Sequence, residues 1–237
     1  MDSLAQHYRV VAPDLRGYGD SEDGEHGIAM GDFSADLLRL MTEAGIDRAH
    51  IVGLSMGGFI ALQCLADFPR RIASLVLADT AWSLRAAIGA EQADAFYESR
   101  AAMMQRGTPM AELADALTPA LVWRGTRSPA YAEAWASMAQ LRPASCLRAL
   151  EAVRDFENPL PAGRPPVRTL VLVGEHDAVT PPAASRQLAE RLGLPGVTTL
   201  AQAGHLSNLD QPEAFNRAVL EHLEAAAGKA ASTLFDA

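Results

Sequence analysis

Short, continuously apolar runs alternate along this 237-residue chain with longer amphipathic segments. Such runs are typical of strands buried on both faces of a parallel sheet, and the segments between them have the spacing of helices that cover a sheet. Strands are predicted at residues 8–12, 50–54, 72–78, 168–173 and 197–200. The sequence therefore predicts an α/β fold with a mostly parallel sheet and helices on both faces.

The amphipathic segments show helical periodicity and have stop signals at their ends. Phe33, Leu37, Leu40 and Met41 recur on one helical face, and Gly45 follows them as a terminator. Helices are predicted at residues 32–44, 56–68, 182–192 and 211–226. A helix after nearly every strand is the pattern of parallel strands joined by crossover connections.

One block interrupts this alternation. Residues 82–166 contain no convincing strand and are rich in Ala, Met and Arg, which predicts several short helices inserted between two strands. The remaining residues, 1–81 and 167–227, are predicted to form the core, and residues 228–237 are predicted to be a flexible tail.

Composition excludes several classes of protein. The chain is 49% hydrophobic with a net charge of −9, which fits a globular protein and gives no basic face for nucleic acid. No apolar run is long enough to cross a membrane, and the first ten residues lack the apolar stretch of a signal peptide. Cys64 and Cys146 are interpreted as reduced thiols of a cytoplasmic protein, and no metal-spaced Cys/His cluster occurs, so no metal is expected.

The motif with the clearest chemical meaning is G-x-S-x-G, formed by Gly53, Ser55 and Gly57. It lies between a predicted strand and a predicted helix, where such a motif forms a sharp turn that exposes a nucleophilic serine. The alternative is an ordinary strand-to-helix turn with a capping serine. We interpret Ser55 as the nucleophile.

A nucleophilic serine needs a base within hydrogen-bond reach. His205 follows the last predicted strand, where a loop can reach over the sheet edge, and it is the candidate base. His176 is interpreted as a loop residue beside the acid, and His222 as packed within a helix. The remaining histidines precede the serine, at positions His7, His26 and His50.

The base in turn needs a carboxylate to orient it, and sites in open parallel sheets form at the carboxyl ends of the strands. Asp177 follows the strand at 168–173, and Asp79 follows the strand at 72–78. Both give the chain order serine, acid, histidine, so order does not choose between them. We favour Asp177, which is one strand closer to His205, and keep Asp79 and Glu175 as alternatives.

These residues resemble the α/β-hydrolase superfamily. Residues 13–21 (PDLRGYGDS) are similar to a loop that follows a core strand in many members, and residues 174–177 and 203–205 resemble the acid turn and the histidine loop. Residues 77–81 and 204–212 look like those of 3-oxoadipate enol-lactonases. Esterases, C–C bond hydrolases and cofactor-free haloperoxidases carry similar strings.

The resemblance implies a helical cap at residues 82–166 and hydrolysis of a small ester or lactone with no cofactor. Ser55 is expected to attack the carbonyl, His205 to transfer the proton and Asp177 to orient the imidazole. The backbone N–H of Met56 is expected to donate to the oxyanion. The candidates for binding a substrate carboxylate are Arg124, Arg127, Arg142 and Arg148.

The resemblance also predicts that N-terminal strands of the superfamily are missing. Three strands normally precede the one leading into residues 13–21, but here residues 8–12 begin only seven residues from Met1. Three strands with their connections need roughly 25–40 residues. We therefore expect unpaired ladder groups between 8–12 and 50–54, and the loss of the second oxyanion donor. The alternative from another class is thus a truncated, catalytically weak or inactive hydrolase-like protein.

Overall fold

The computed structural model describes residues 2–24 and 28–232. Its sheet has four parallel strands in the order β1-β2-β3-β4, which confirms the predicted α/β fold. The strands are β1 (Ala49–Leu54), β2 (Ile72–Ala78), β3 (Arg168–Gly174) and β4 (Thr198–Leu200). Ala78 is in register with Leu54 on one side and with Leu172 on the other. The carboxyl ends of the three long strands therefore meet at one edge of the sheet.

Eleven helices occur in the described residues, and they follow the strands in the manner of crossover connections. The helices are α1 (Asp2–Ala5), α2 (Met30–Glu43), α3 (Met56–Asp67), α4 (Leu84–Ile88), α5 (Ala90–Gln105), α6 (Met110–Leu117), α7 (Tyr131–Ala139), α8 (Pro143–Asp155), α9 (Pro182–Arg191), α10 (Ser207–Asp210) and α11 (Pro212–Ser232). None of them is long and apolar enough to cross a membrane.

Strand β2 explains why its sequence is continuously apolar. Successive side chains point to opposite faces of a strand, and both faces of this one are covered. Leu75 and Leu77 pack in the larger core cluster, formed with helices α2, α3 and α9. Val76 packs in the second cluster, against Phe215 and Val219 of α11. The burial of both faces places the end of β2 at the centre of the molecule.

The segment of residues 82–166, called the helical segment below, contains α4 to α8 and no strand. It has a core of its own, in which Met104, Met110 and Leu113 are buried. It connects the end of β2 to the start of β3, which are the two central strands of the sheet.

The prediction of a strand at residues 8–12 is wrong. This stretch has no ladder partner in the part of the chain that the structure describes, and Val11 is 45% exposed. An apolar run supplies suitable side chains, but a strand also needs a neighbour that accepts its backbone hydrogen bonds. Tyr8 instead packs edge-on against His50, with ring centroids 5.8 Å apart. Strand β1 is consequently an edge strand, on which Val52 is 41% exposed.

The last helix is longer than predicted. Helix α11 ends at Ser232 instead of residue 226, so residues 228–232 of the predicted flexible tail are helical. The alanine-rich sequence around Gly228 has a helix propensity that outweighs the cost of one glycine. Residues 233–237 of the predicted tail lie outside the described residues.

Cys64 and Cys146 are free thiols.

Candidate active site

Ser55 lies in the sharp turn between β1 and α3, with φ 55° and ψ −118°. A positive φ is costly for a residue with a side chain, and it persists only where the surroundings hold it in place. The flanking glycines make room for the turn. A Cβ at Gly53 would collide with the carbonyl of Gly57, and one at Gly58 would lie 2.5 Å from Thr80. These contacts explain the glycines at the first position of G-x-S-x-G and directly after the motif, whereas a Cβ at Gly57 would meet no atom within 4 Å.

The turn is held from the neighbouring strand. The N–H of Ser55 donates to the carbonyl of Ala78 at 2.9 Å, and Thr80 Oγ1 donates to the carbonyl of Ser55 at 2.9 Å. Thr80 is fully buried. The serine is thus fixed at the carboxyl end of β1 by groups at the carboxyl end of β2.

His205 is hydrogen-bonded to both Ser55 and Asp177. Its Nε2 lies 2.8 Å from Ser55 Oγ, and its Nδ1 lies 3.0 Å from both carboxylate oxygens of Asp177. An ionised carboxylate only accepts hydrogen bonds, so this network assigns the proton to Nδ1 and leaves Nε2 free to accept from the serine hydroxyl. His205 and Asp177 are 4% and 3% exposed. This arrangement allows Ser55 to transfer its proton to His205.

Asp177 is held by residues that follow it in the chain. The N–H groups of Val179 and Thr180 donate to Oδ1 at 2.8 and 3.0 Å, and Thr180 Oγ1 donates to Oδ2 at 2.9 Å. Thr180 was missed in the sequence analysis. The signal for it is an aspartate followed three residues later by a threonine ahead of a helix, which is the spacing of a side-chain-to-backbone turn.

The two alternative acids have different partners. Asp79 accepts a hydrogen bond from the N–H of Gly174 at 2.8 Å and is hydrogen-bonded to Ser207 Oγ. Burial raises the pKa of Asp79 to about 7. Glu175 is half exposed, accepts a hydrogen bond from the N–H of Gln202 and lies 3.5 Å from His176. Neither makes the contact with His205 that Asp177 makes.

His50, His176 and His222 have other surroundings. His176 is exposed and stacks on the Trp123 ring, with centroids 6.0 Å apart. His222 is buried, and burial lowers its pKa to about 4. His50 Nδ1 lies 2.8 Å from Ser74 Oγ. His26 lies outside the described residues.

Met56 is the first residue of α3. The first N–H groups of a helix have no carbonyl partner within it and carry the positive end of the helix dipole. The N–H of Met56, next to Ser55, therefore belongs to a set of donors suited to a developing oxyanion.

Two of the four candidate arginines have structural partners. Arg142 donates to the carbonyls of Gly17 and Ser21 at 3.1 and 2.6 Å, and Arg148 forms an ion pair with Asp23 at 2.7 Å. These contacts join α8 to the loop that contains residues 13–21. The Arg142 side chain is thereby bonded within the protein, while Arg148 is paired by charge with Asp23.

A second junction joins the helical segment to the histidine loop. Asp210 accepts hydrogen bonds from the N–H groups of Trp123 and Gly204 at 2.7 and 2.8 Å and from Ser128 Oγ at 2.8 Å. Gly204 directly precedes His205. The guanidinium of Arg124, the third candidate, lies 4.0 Å from the Trp123 ring. The helical segment is therefore anchored beside His205.

No group of three or more His, Cys, Asp or Glu side chains within residues 2–24 and 28–232 could hold a metal ion.

Known proteins match this chain along most of its length. The family model described as alpha/beta hydrolase family matches residues 1–218. A protein of Variovorax paradoxus (strain S110) named as a carbamate hydrolase, RutD, is 33% identical over 228 residues, which are 93% of this chain and 83% of that protein.

Two solved structures are similar to this fold. A thermophilic esterase from Thermogutta terrifontis has a TM-score of 0.82 and 27% identity, with 95% of this chain and 83% of that chain covered. The enol-lactonase from Burkholderia xenovorans LB400 has a TM-score of 0.79 and 28% identity, with 94% and 84% covered.

Proposed function

Because this chain belongs to the alpha/beta hydrolase family, we propose that it hydrolyses a small carboxylic ester or lactone through an acyl-enzyme on Ser55. The observation that carries the proposal is the hydrogen-bonded chain in which His205 Nε2 lies 2.8 Å from Ser55 Oγ and Nδ1 lies 3.0 Å from Asp177. A similar structure is named an enol-lactonase and a similar sequence is named 3-oxoadipate enol-lactonase 2, which supports a 3-oxoadipate enol-lactone type of substrate.

In the first step Ser55 Oγ attacks the substrate carbonyl and His205 Nε2 takes the hydroxyl proton. The resulting imidazolium is stabilised by the carboxylate of Asp177, which stays ionised. His205 then returns the proton to the leaving oxygen as the carbonyl–oxygen bond breaks. In a lactone this oxygen stays attached to the same molecule.

In the second step water hydrolyses the acyl-enzyme. His205 takes a proton from the water as it attacks, and returns the proton to Ser55 as the acid product leaves. The carbonyl oxygen is negative in both tetrahedral intermediates, and the N–H of Met56 is the proposed donor to it. A donor aimed at the oxyanion stabilises the transition state more than the ground state.

The helical segment is proposed to be the cap that selects the substrate. Its anchors support this role, because Asp210 attaches it to the loop of His205 and Arg142 attaches it to residues 17–21. For a substrate with a free carboxylate, Arg124 and Arg127 remain the candidate partners, since Arg142 donates to backbone carbonyls and Arg148 is ion-paired with Asp23.

Labelling with a fluorophosphonate tests the nucleophile. We expect wild-type protein to be labelled on Ser55, and S55A and H205A to be unlabelled. S99A and H176A are the matched controls, since both side chains are exposed and lie outside the proposed triad, and both should label at the wild-type rate. Labelling that survives in S55A would overturn the proposal.

A substrate panel then tests the reaction. Aryl esters, enol-lactones, carbamates and vinylogous C–C substrates should be compared with wild-type and S55A protein. We expect S55A-sensitive turnover of esters or lactones. A labelled protein that cleaves only the carbamates or the C–C substrates would keep Ser55 as nucleophile and reject the ester assignment.

A further inference from the structure

Asp79 lies at the end of central strand β2, and its buried carboxyl joins two other segments of the site. Oδ1 accepts a hydrogen bond from the N–H of Gly174 at 2.8 Å, and Oδ2 is hydrogen-bonded to Ser207 Oγ. Gly174 begins the turn that carries Asp177, whose N–H donates to the Gly174 carbonyl at 3.2 Å. Ser207 comes two residues after His205. One side chain therefore spans the acid turn and the histidine loop.

The backbone at Asp79 has an unusual conformation and is held by hydrogen bonds. Asp79 has φ 47°, a left-handed conformation that is rare for residues other than glycine, asparagine and aspartate. Its N–H donates to the carbonyl of Leu172 at 2.9 Å, which keeps it in the β2–β3 ladder. The next residue, Thr80, donates to the carbonyl of Ser55. The turn at the end of β2 thus contacts all three segments that bear the proposed triad.

We propose that Asp79 is a positioning residue, whose hydrogen bonds to Gly174 and Ser207 hold the Asp177 turn and the His205 loop at their working separation. The proposal rests on the hydrolase function proposed above. It gives Asp79 no contact with the substrate and no part in proton transfer.

Burial favours the neutral form of the carboxyl, while its hydrogen bonds from Ser207 and Gly174 favour the ionised form. Asp79 is 0% exposed, and a buried charge is costly unless an opposite charge compensates it. The titratable groups that act on it are Asp177, whose negative charge opposes ionisation, and His205, whose proton favours it. Burial has the largest effect, and it raises the pKa of Asp79 to about 7.

A neutral acid keeps both observed contacts. One oxygen accepts from the N–H of Gly174, and the other accepts from the Ser207 hydroxyl. A protonated Asp79 can reverse the second bond, because a hydroxyl accepts as well as donates. Asp177 is then the single negative charge next to His205. Ionisation of Asp79 would add a second negative charge near His205. It would favour a protonated His205 in the resting enzyme, and a protonated His205 cannot accept the Ser55 proton.

The D79N variant tests the neutral form, because an asparagine amide can accept from Gly174, donate to Ser207 and adopt the left-handed backbone. We expect D79N to retain the fluorophosphonate labelling rate within about threefold. We expect D79A to lose about tenfold or more in labelling rate and in kcat, with KM changed less than about twofold, since it disturbs alignment rather than binding. The wild-type pH–rate profile should contain an ionisation near pH 7 that D79N lacks.

S207A is the second variant, because it removes one contact and leaves residue 79 and its backbone unchanged. It should slow labelling by about threefold or more when measured well below its melting temperature, which should itself fall because the buried Asp79 carboxyl loses a partner. A loss in D79N as large as that in D177N would show that Asp79 acts as a charged acid and overturn the proposal. Wild-type rates in both D79A and S207A would also overturn it.

The ¹H NMR resonance of His205 Nδ1–H separates this proposal from the proposed function. It should appear far downfield in wild type and D79N and be shifted or lost in D79A. If wild type is not labelled and turns over no substrate but the resonance follows this order, the function fails and the positioning role stands. If labelling and turnover are normal but the resonance is unchanged in D79A, the positioning role fails alone.

Discussion

The carboxylate of Asp210 accepts a hydrogen bond from the backbone N–H of Trp123 at 2.7 Å, across 87 residues of sequence. The same carboxylate accepts from the N–H of Gly204, the residue before His205. A buried or half-buried backbone N–H left without an acceptor costs free energy. Asp210 therefore couples the placement of the helical segment to that of the histidine loop.

Replacing Asp210 with alanine should destabilise the protein and weaken substrate binding. Three donors lose a charged acceptor, so we expect the free energy of unfolding to fall by about 1–3 kcal/mol. KM should rise and kcat should fall, because the helical segment and the loop of His205 both lose a hydrogen-bond acceptor. Urea unfolding and steady-state kinetics measure the two effects. D115N, which removes an exposed carboxylate bound to Trp135 Nε1, is the control and should change neither.

The proposed triad should act as one unit. S55A and H205A should each lower kcat by at least about 10³-fold, because the hydroxyl is a weak nucleophile without its base. The double variant should be no slower than either single variant. Effects that multiply would mean that Ser55 and His205 work independently. Kinetics on the best substrate of the panel provide the measurement.

Thr180 should matter for orientation of Asp177. T180V has nearly the same shape and keeps the backbone N–H groups that bind Oδ1, but it removes the hydroxyl that donates to Oδ2. We expect kcat to fall about 3- to 30-fold with little change in KM, on the scale of one buried hydrogen bond to a charged group. T199V, on the exposed strand β4, is the matched control. Equal rates for T180V and wild type would contradict this role.

His222 should make the fold sensitive to acid. Its pKa is lowered to about 4 by burial, so the unfolded chain binds a proton more readily than the folded protein. Its contribution to stability is present above pH 6.5 and is lost as the pH falls from 6.5 towards 4, by about 1.4 kcal/mol for each pH unit within that window. H222L should have a shallower loss of stability over this range in urea unfolding. An unchanged slope would exclude His222 as a cause.

The free edge of β1 should promote association between chains. Val52 is 41% exposed on this strand, and an exposed apolar edge strand is a template for pairing with another chain. V52K should raise the temperature at which light scattering increases. V11K, at an equally exposed valine outside the sheet, is the control and should have a smaller effect. Equal effects of both would attribute the change to net charge alone.

Local pattern was sufficient for much of the architecture. The apolar runs at 50–54, 72–78, 168–173 and 197–200 predicted the four strands within one residue at each end. This holds best for β2, because a strand buried on both faces must be apolar at every position, whereas β1 and β4 are partly exposed. The G-x-S-x-G spacing predicted the turn at Ser55 because part of its cause is local, since a Cβ at Gly53 would collide with the carbonyl of Gly57 four residues later.

Only the tertiary structure decided which groups meet across the site. Asp79 and Asp177 both follow strands and both fit the chain order, yet His205 contacts Asp177 because the acid turn and the histidine loop face each other at the ends of β3 and β4. The strand predicted at 8–12 failed in the same way, since a strand depends on a neighbour that its own residues do not specify. Contacts such as Thr180 to Asp177 and Asp210 to Trp123 depend on loop paths. These paths are fixed by hydrogen bonds between residues far apart in sequence, and local periodicity carries no information about them.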